Sequence, residues 1–202
     1  MGGAYTLDGD AAHDDTAPAN MPASDKLIVE APAKLNFFLE INGKRADGYH
    51  FLRSIVVPIS LSDTIVLERR RRGVETTVTL QGLPPESDNA LGDSKTNLAT
   101  RAALLLQGVT GYSGGASIRI TKRIPIGGGL GGGSADAAAV LTGLNRVWEL
   151  GLSRETLVEL GSRLGSDVPT LVLGRAACME GVGEKVTPLP GIKAAWWLVL
   201  VN

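Results

Sequence analysis

Residues 127–133 read GGGLGGG, and this run of six glycines in seven positions constrains the fold more than any other feature of the chain. It follows ASIRITKRI, which alternates apolar and polar residues like a half-buried strand, and precedes SADAAAVLTGLNRVWEL, which carries the apolar stripe of a helix. Glycine allows positive φ and lets a ligand approach the backbone without a Cβ in the way. The first N–H groups of the helix are unpaired and carry a partial positive charge. The stretch therefore predicts a loop that binds a polyphosphate.

Three other interpretations of the glycines fit the sequence less well. A flexible linker seldom interrupts a strand-to-helix junction inside a compact domain. Gly127, Gly129 and Gly132 match the G-x-G-x-x-G spacing of dinucleotide-binding loops, but that fold needs a second strand ending in an acid about 20 residues later. Two consecutive helices are predicted there instead. A Walker A loop needs a Lys-Ser or Lys-Thr pair after the glycines, and this sequence has none.

Composition places the chain among ordinary globular proteins, with 202 residues of which 44% are hydrophobic and 20% charged. Residues 1–25 hold five aspartates and no Lys or Arg, which leaves 20 basic and 16 acidic residues and a charge of +4 over 26–202. Because residues 1–25 are also rich in Gly, Ala and Pro without periodicity, they are predicted to be a disordered tail. The mildly positive remainder suits an anionic ligand.

The compartment is predicted from cysteine usage and from targeting signals. Cys178 is the single cysteine of the sequence, which excludes a disulfide framework and indicates a reducing environment. The sequence shows neither a secretion signal nor a run of 18 apolar residues. We therefore expect a cytoplasmic protein without a membrane partner.

The coarse element pattern predicts a mixed fold. Two long antiparallel strands are expected at 26–41 and 50–61, a hairpin centred on Arg72–Gly73 at 63–82, and further strands over 170–189 and 194–201. Helices are expected to begin near Thr96 or Asn97, at Ser134 and at Ser153, since each of these residues can act as an N-cap. Hairpins interspersed with helices predict an α+β class, with helices on one face of a mainly antiparallel sheet.

Several segments together resemble a known family. PIGGGLGGGSADAA resembles the phosphate-binding motif of the GHMP kinases, whose N-terminal fold is shared with a ribosomal protein domain. APAKLNFFLEINGKRADGYHFLRS is more specific, because it resembles the opening hairpin of the 4-diphosphocytidyl-2-C-methyl-D-erythritol kinases of non-mevalonate isoprenoid synthesis. GSDVP and MEGVGEKVTPL also resemble that group, so the resemblance covers about 28–202.

The resemblance implies an enzyme that uses ATP, accompanied by Mg²⁺, to phosphorylate the 2-hydroxyl of a cytidine-diphosphate-linked methylerythritol. Lys34 and Asp167 match the catalytic pair, with Asp167 as the base. Asn36, Tyr49 and His50 match residues that hold the substrate, Tyr49 by stacking on cytosine and His50 by hydrogen-bonding its edge. The implied nucleotide contacts are Asn97, Lys122, Pro125, Ile126, Gly127, Gly128, Gly129, Leu130, Gly131, Gly132, Gly133, Ser134 and Ala135.

The same resemblance implies a domain plan. Residues 26–190 correspond to the N-terminal domain that binds ATP and carries the catalytic residues, and 191–202 to the start of a C-terminal domain that family members continue further. The expected partner is the small-molecule substrate, with no nucleic acid, and the expected state is a monomer or weak homodimer.

The residue types leave simpler roles open for several of these positions. Asp167 could turn or cap the chain ahead of Pro169, Lys34 could be an edge-strand lysine that discourages aggregation, and Ser134 could serve as an N-cap alone. Core packing would explain the phenylalanines of the first hairpin. The sequence has two histidines, too few for a His-based zinc cluster, and no metal ligands are assigned.

Two other functions also stay open. The arginines at 69–72 and the charge of +4 leave a non-catalytic nucleotide- or RNA-binding module as an alternative, although a solvated turn explains the run without a ligand. A GHMP kinase acting on another small alcohol would keep the glycine-rich loop, but would leave Tyr49 and His50 unexplained.

Overall fold

The computed structural model describes residues 25–44, 50–84, 96–181, 183 and 185–189. The strands are β1 (Lys26–Lys44), β2 (His50–Arg70), β3 (Val74–Leu80), β4 (Gly115–Lys122), β5 (Ala177–Gly181) and β6 (Lys185–Pro188). The helices are α1 (Leu98–Thr110), α2 (Gly132–Val147), α3 (Arg154–Ser162) and α4 (Val168–Leu173). The six strands form one sheet, and α1 and α2 pack against each other and against it. The predicted α+β class is confirmed.

The long strand β2 organises the sheet. It pairs antiparallel with β1 along one edge, and with β4 and β5 at the two ends of its other edge. The resulting order is β3-β4-β2-β5-β6, with β1 beside β2. Within the described residues no helix is long and apolar enough to cross a bilayer.

The predicted hairpin at 63–82 is wrong. β3 pairs in parallel with β4, Val74 lying opposite Ala116, so that β4 sits between β2 and β3. The alternating side chains Ile118 and Ile120 of β4 are almost fully buried, which places this strand inside the sheet. A strand in that position needs backbone partners on both edges, and β3 supplies the second set.

The strand predicted over 170–189 is wrong at its start, because residues 170–173 lie in helix α4. Pro169 lies in the first turn of the helix, where its missing N–H has no cost. Most of this short segment is buried, and it packs against α2 and α3. A short apolar run fits a buried strand or a buried helix equally well, so the sequence pattern alone did not discriminate between them.

Two of the three predicted helix caps are confirmed. The side chain of Asn97 accepts a hydrogen bond from Ala99 N at 2.8 Å, and that of Ser153 accepts one from Thr156 N at 3.2 Å. The third is wrong, because α2 begins at Gly132 with Gly131 as its N-cap at φ 70°. Glycine adopts this left-handed conformation without strain, so the N-cap lies three residues earlier than predicted and Ser134 lies in the first turn of the helix.

Contrary to expectation, the phenylalanines of the first hairpin are largely outside the core. Phe37, Phe38 and Phe51 are 59%, 46% and 43% exposed. The reason is a difference in length: the 19 residues of β1 span about 60 Å as a strand, while the 16 residues of α2 span about 24 Å. The distal half of the β1–β2 pair therefore extends beyond the helices.

Helix α2 approaches β2 closely at Gly143, which gives a test of the packing. A Cβ on Gly143 would lie 2.3 Å from Cδ1 of the buried Leu67, so we expect Gly143→Ala to lower the free energy of unfolding by about 1–3 kcal/mol. Gly108 of α1 is exposed, and a Cβ there meets open space among the described residues. Gly108→Ala should therefore raise stability by about 0.5–1 kcal/mol. Urea unfolding of the two variants should give midpoint shifts of opposite sign; equal shifts would contradict this packing.

Candidate active site

The glycine-rich loop, residues 125–131, joins β4 to α2. Its glycines at 127, 129 and 131 have φ of 78°, 72° and 70°, a left-handed conformation that side chains other than glycine rarely adopt. Residues 127–129 are exposed, and a Cβ on Gly127 or Gly129 would meet no atom of the described residues within 4 Å. The outer side of the loop is therefore bare backbone that a ligand can approach.

The loop leads directly into the N-terminal turn of α2. Gly131 O accepts the first intrahelical bond, from Ala135 N at 2.8 Å, so the N–H groups of residues 132–134 have no partner in the helical ladder. The first turn contains no acidic residue. This end of the helix therefore offers unpaired donors and a partial positive charge to an anion.

Strand β1 holds the other side of the loop. Lys34 N donates a hydrogen bond to Leu130 O at 2.9 Å, and the side chain of Leu130 is buried. A Cβ on Gly131 would lie 2.9 Å from Lys34 Cγ and 3.1 Å from its Cε. Glycine is required at 131 both for its φ and for this close approach.

The two residues predicted to be catalytic lie together. Lys34 Nζ is 3.4 Å from Asp167 Oδ2 and donates to Asn36 Oδ1 at 3.2 Å. The Lys34 side chain is 6% exposed and that of Asp167 23%. An edge-strand lysine facing solvent is therefore the wrong interpretation of Lys34. At this separation and low exposure, solvent screens the attraction between the two charges less than on an open surface.

Asp167 occupies the N-cap position of α4, but within the described residues its side chain makes no capping hydrogen bond. The simpler role of a helix cap is therefore wrong as well. A Cβ on Gly131 would lie 3.6 Å from Asp167 Oδ2, which places the carboxylate against the end of the glycine-rich loop. Gly183, between β5 and β6, packs against the residue that precedes Asp167, since a Cβ on Gly183 would lie 2.6 Å from Ser166 Cβ.

Lys122 is placed beneath the loop rather than on its open side. It is 5% exposed, and its ammonium contacts the carboxylates of Asp63 and of Asp136, the latter at 2.9 Å. A Cβ on Gly132 would lie 3.0 Å from Lys122 Nζ. Although burial opposes it, the carboxylates of Asp136 and Asp63 raise the pKa of Lys122. The ammonium is therefore held by two acids of the chain itself.

Asp63 and Asp136, the two acids of this cluster, were not predicted from the sequence. Strand periodicity gives a signal for it, because Lys122 shares the buried face of β4 with Ile118 and Ile120. A lysine on a buried face requires an acidic partner. Asp136 gives a second signal, as the one charged residue in an otherwise Ala-rich stretch of α2.

The remaining site predictions concern the nucleotide and the substrate. Asn97 is the N-cap of α1. The start of α1 lies close to the first turn of α2, since a Cβ on Gly133 would lie 3.7 Å from Cδ1 of Leu98. His50 is the first residue of β2 and pairs with Lys44, while Tyr49 lies outside the described residues. The base-binding part of the site stays a prediction.

Two further findings concern charges. Of the four arginines at 69–72, Arg69 pairs with Glu149 at 2.8 Å and Arg70 pairs with Glu75. Acidic side chains of the chain therefore already neutralise part of this basic run. In the part of the chain that the structure describes, no three His, Cys, Asp or Glu side chains cluster as metal ligands.

Comparison with known proteins shows which family and which relatives this chain is similar to. Residues 97–175 match the family described as GHMP kinases N terminal domain. The chain is 50% identical over 173 residues to the 4-diphosphocytidyl-2-C-methyl-D-erythritol kinase of Symbiobacterium thermophilum. That match covers 86% of this chain and 58% of the relative, so the chain spans less than two thirds of the relative's length.

Solved structures agree with the fold. A crystal structure of 4-(cytidine 5'-diphospho)-2C-methyl-D-erythritol kinase superposes with a TM-score of 0.63 at 40% identity, covering 81% of this chain and 55% of that one. Homoserine kinase from Cytophaga hutchinsonii superposes with a TM-score of 0.58 at 19% identity, covering 85% and 54%. At that identity the second likeness concerns the fold alone.

Proposed function

We propose that this protein phosphorylates the 2-hydroxyl of 4-diphosphocytidyl-2-C-methyl-D-erythritol with ATP, and the match of residues 97–175 to the GHMP kinases N terminal domain supports a kinase. The observation that carries the proposal is the meeting of Lys34, Asp167 and the glycine-rich loop at one place. These groups supply the three things that phosphoryl transfer requires: an anion-binding loop, a proton acceptor and a positive charge beside the acceptor. The name of the 50% identical relative supports the choice of substrate.

The loop and the first turn of α2 would hold the nucleotide. ATP would supply the phosphoryl group that is transferred, and Mg²⁺ bound with it would offset the charge of its phosphates. The bare backbone at 127–129 and the unpaired N–H groups of 132–134 fit a polyphosphate in both shape and charge. Ser134, in that same turn, adds a hydroxyl donor.

Asp167 is the proposed general base. Its side chain is partly exposed beside the loop and is not used as a helix cap among the described residues, so an incoming alcohol can reach it. A carboxylate in hydrogen-bond reach of the alcohol accepts its proton as the oxygen attacks. Lys34 would stabilise the negative charge that develops on that oxygen, because its ammonium lies 3.4 Å from Asp167 Oδ2.

The substrate would enter past Asn36, whose side chain is exposed. Oδ1 of Asn36 accepts a hydrogen bond from Lys34 Nζ, so the amide nitrogen of Asn36 is directed away from that contact and is available to the substrate. Tyr49 and His50 follow in the same hairpin, and we propose them as the residues that stack on the cytosine and bond to its edge. Stacking of a base on an aromatic ring contributes about 1–3 kcal/mol.

Substrate preference tests the proposal. We expect ATP-dependent release of ADP with 4-diphosphocytidyl-2-C-methyl-D-erythritol, at a kcat/KM at least ~10-fold above that for mevalonate or homoserine, because those alcohols lack the cytosine. A coupled ADP assay with purified protein and Mg²⁺ measures this ratio for each alcohol. Cytidine 5'-diphosphate, which has the base but not the acceptor alcohol, should inhibit without being phosphorylated.

Two outcomes would contradict the proposal. Equal turnover of mevalonate or homoserine would assign the loop to a kinase of different specificity. Absence of ADP release with all three alcohols, from protein that unfolds cooperatively and therefore is folded, would remove the kinase assignment itself.

A further inference from the structure

The buried ionic cluster beneath the loop has a feature that the proposed reaction does not use. Asp63, Lys122 and Asp136 are 0%, 5% and 3% exposed, and they combine two carboxylates with one ammonium. Asp136 Oδ1 is buried and has no hydrogen-bond partner among the described residues. Burial raises the pKa of Asp136 to about 7, against the opposing attraction of Lys122. Replacing such clusters by apolar residues is often neutral or stabilising, so stability alone gives little reason for this one.

The cluster ties together the two ends of the glycine-rich loop. Asp63 Oδ1 accepts hydrogen bonds from the backbone N–H groups of Arg123 and Ile124, the latter at 2.9 Å, where the chain leaves β4. Asp136, in the second turn of α2, accepts from Lys122 Nζ at 2.9 Å where the chain re-enters regular structure. The loop between these anchors has no side chains of its own at six of seven positions in 127–133.

The position of the ammonium argues against a direct contact with the nucleotide. Lys122 Nζ lies on the inner side of the loop, 3.0 Å from the place of a Cβ on Gly132, whereas the open side is formed by 127–129. Its two carboxylate partners already neutralise it. Besides Asp63, Lys122 contacts Asp136, near the start of the helix that offers the phosphate-binding N–H groups.

We propose that Asp136 and Lys122 are positioning residues, which hold the first turn of α2 against β4 so that the loop's N–H groups are aligned for phosphates before the nucleotide arrives. Asp63 fixes the β4 end of the same unit. The proposal deepens the proposed function and rests on it, because it concerns how the same loop binds ATP. Preorganised donors bind an anion more tightly than donors that must first be ordered.

Two variants of Asp136 separate positioning from charge. Asp136→Ala and Asp136→Asn remove the same negative charge and both leave the neutral Asp63–Lys122 pair, but the asparagine side chain retains an oxygen that can accept from Lys122 Nζ. Because Ala favours helix and the remaining Asp63–Lys122 pair is neutral, the alanine variant is expected to fold cooperatively.

The experiment measures binding of Mg²⁺-ATP by titration calorimetry and, without nucleotide, hydrogen exchange at the two hydrogen-bonded amides that anchor the loop, Lys34 N and Ala135 N. Asp136→Ala should raise the Kd for ATP about 10-fold and speed exchange of these amides, while Asp136→Asn should stay near the parent in both. In turnover, Asp136→Ala should raise the KM for ATP and leave kcat within about 2-fold, since Lys34 and Asp167 are untouched.

Each of the other possible results would contradict either the positioning role or the proposed function. If Asp136→Ala and Asp136→Asn bind ATP equally, or if both bind it more tightly than the parent, the cluster acts through its charge and the positioning role is wrong. Tighter binding by Asp136→Ala alone would mean that the released Lys122 contacts the nucleotide directly. If the parent itself does not bind ATP, the proposed function fails, which is a result distinct from parent-like binding by the alanine variant.

Discussion

Asp167→Asn should lower kcat by about 10²- to 10⁴-fold, the usual contribution of a general base. Asparagine keeps the shape of the side chain but does not accept the proton of the attacking alcohol. The KM for ATP should change little, because the phosphates are assigned to the loop and to the first turn of α2. Steady-state kinetics with varied ATP and with varied alcohol would measure both quantities.

A matched exposed ion pair supplies the control for that experiment. Arg53 and Glu180 are also 3.4 Å apart, but their side chains are 59% and 48% exposed and lie in β2 and β5. Glu180→Gln should therefore leave kcat unchanged, as expected when a solvated pair is broken. An Asp167→Asn variant that keeps more than a tenth of the parent's kcat would show that another group accepts the proton.

Gly131→Ala should damage both nucleotide binding and catalysis. The left-handed φ of 70° at this residue costs a non-glycine residue about 1–2 kcal/mol. The new Cβ would also lie 2.9 Å from Lys34 Cγ, which forces the buried lysine away from Asp167 or forces the loop outward. We expect a rise of at least ~10-fold in the Kd for ATP and a fall in kcat, measured by calorimetry and by steady-state kinetics.

Gly151→Ala separates backbone strain from the effect on the site. Gly151 has φ 66°, and a Cβ there would meet open space in the described part of the chain, before α3 and outside the loop. Both variants should lose a similar amount of stability from the backbone, about 1–2 kcal/mol, yet the change at Gly151 should leave ATP binding intact. Parent-like binding and turnover by Gly131→Ala would contradict the close packing of the loop against Lys34.

The two main-chain contacts of the loop explain why these predictions are coupled. Lys34 N binds Leu130 O on the β1 side, and Asp63 binds the N–H groups of Arg123 and Ile124 on the β4 side. The lysine that stabilises the transition state in the proposed mechanism thus also positions the phosphate loop through its backbone. A side chain at Gly131 is therefore expected to displace Lys34 as well as the loop.

Local sequence signals predicted much of the fold correctly. The caps Asn97 and Ser153 were identified because a short polar side chain ahead of an apolar stripe satisfies the first N–H groups of a helix. The alternation of apolar and polar residues in β4 correctly predicted that Ile118 and Ile120 are buried. Such signals succeed because both the cause and its effect lie within a few residues of each other.

Predictions that depended on distant partners failed more often. The pairing of β3 with β4 rather than with β2 depends on which edge of the sheet is free, and the helix at 168–173 depends on the surface of α2 and α3 beneath it. The exposure of Phe37 depends on how far α2 extends along the sheet. None of these three features can be predicted from the local sequence pattern.

By itself, the sequence determined that a glycine-rich backbone loop enters a helix N-terminus, because glycine content, strand alternation and helical periodicity are local properties. The family resemblance, and not residue type alone, pointed to Lys34 and Asp167. The tertiary structure alone decided that these two side chains lie 3.4 Å apart against Gly131, and that Asp63 and Asp136 bury the ammonium of Lys122. The physical reason is that charges far apart in the chain acquire a common environment only when the packing of β1, β2, β4 and α2 brings them together and excludes water.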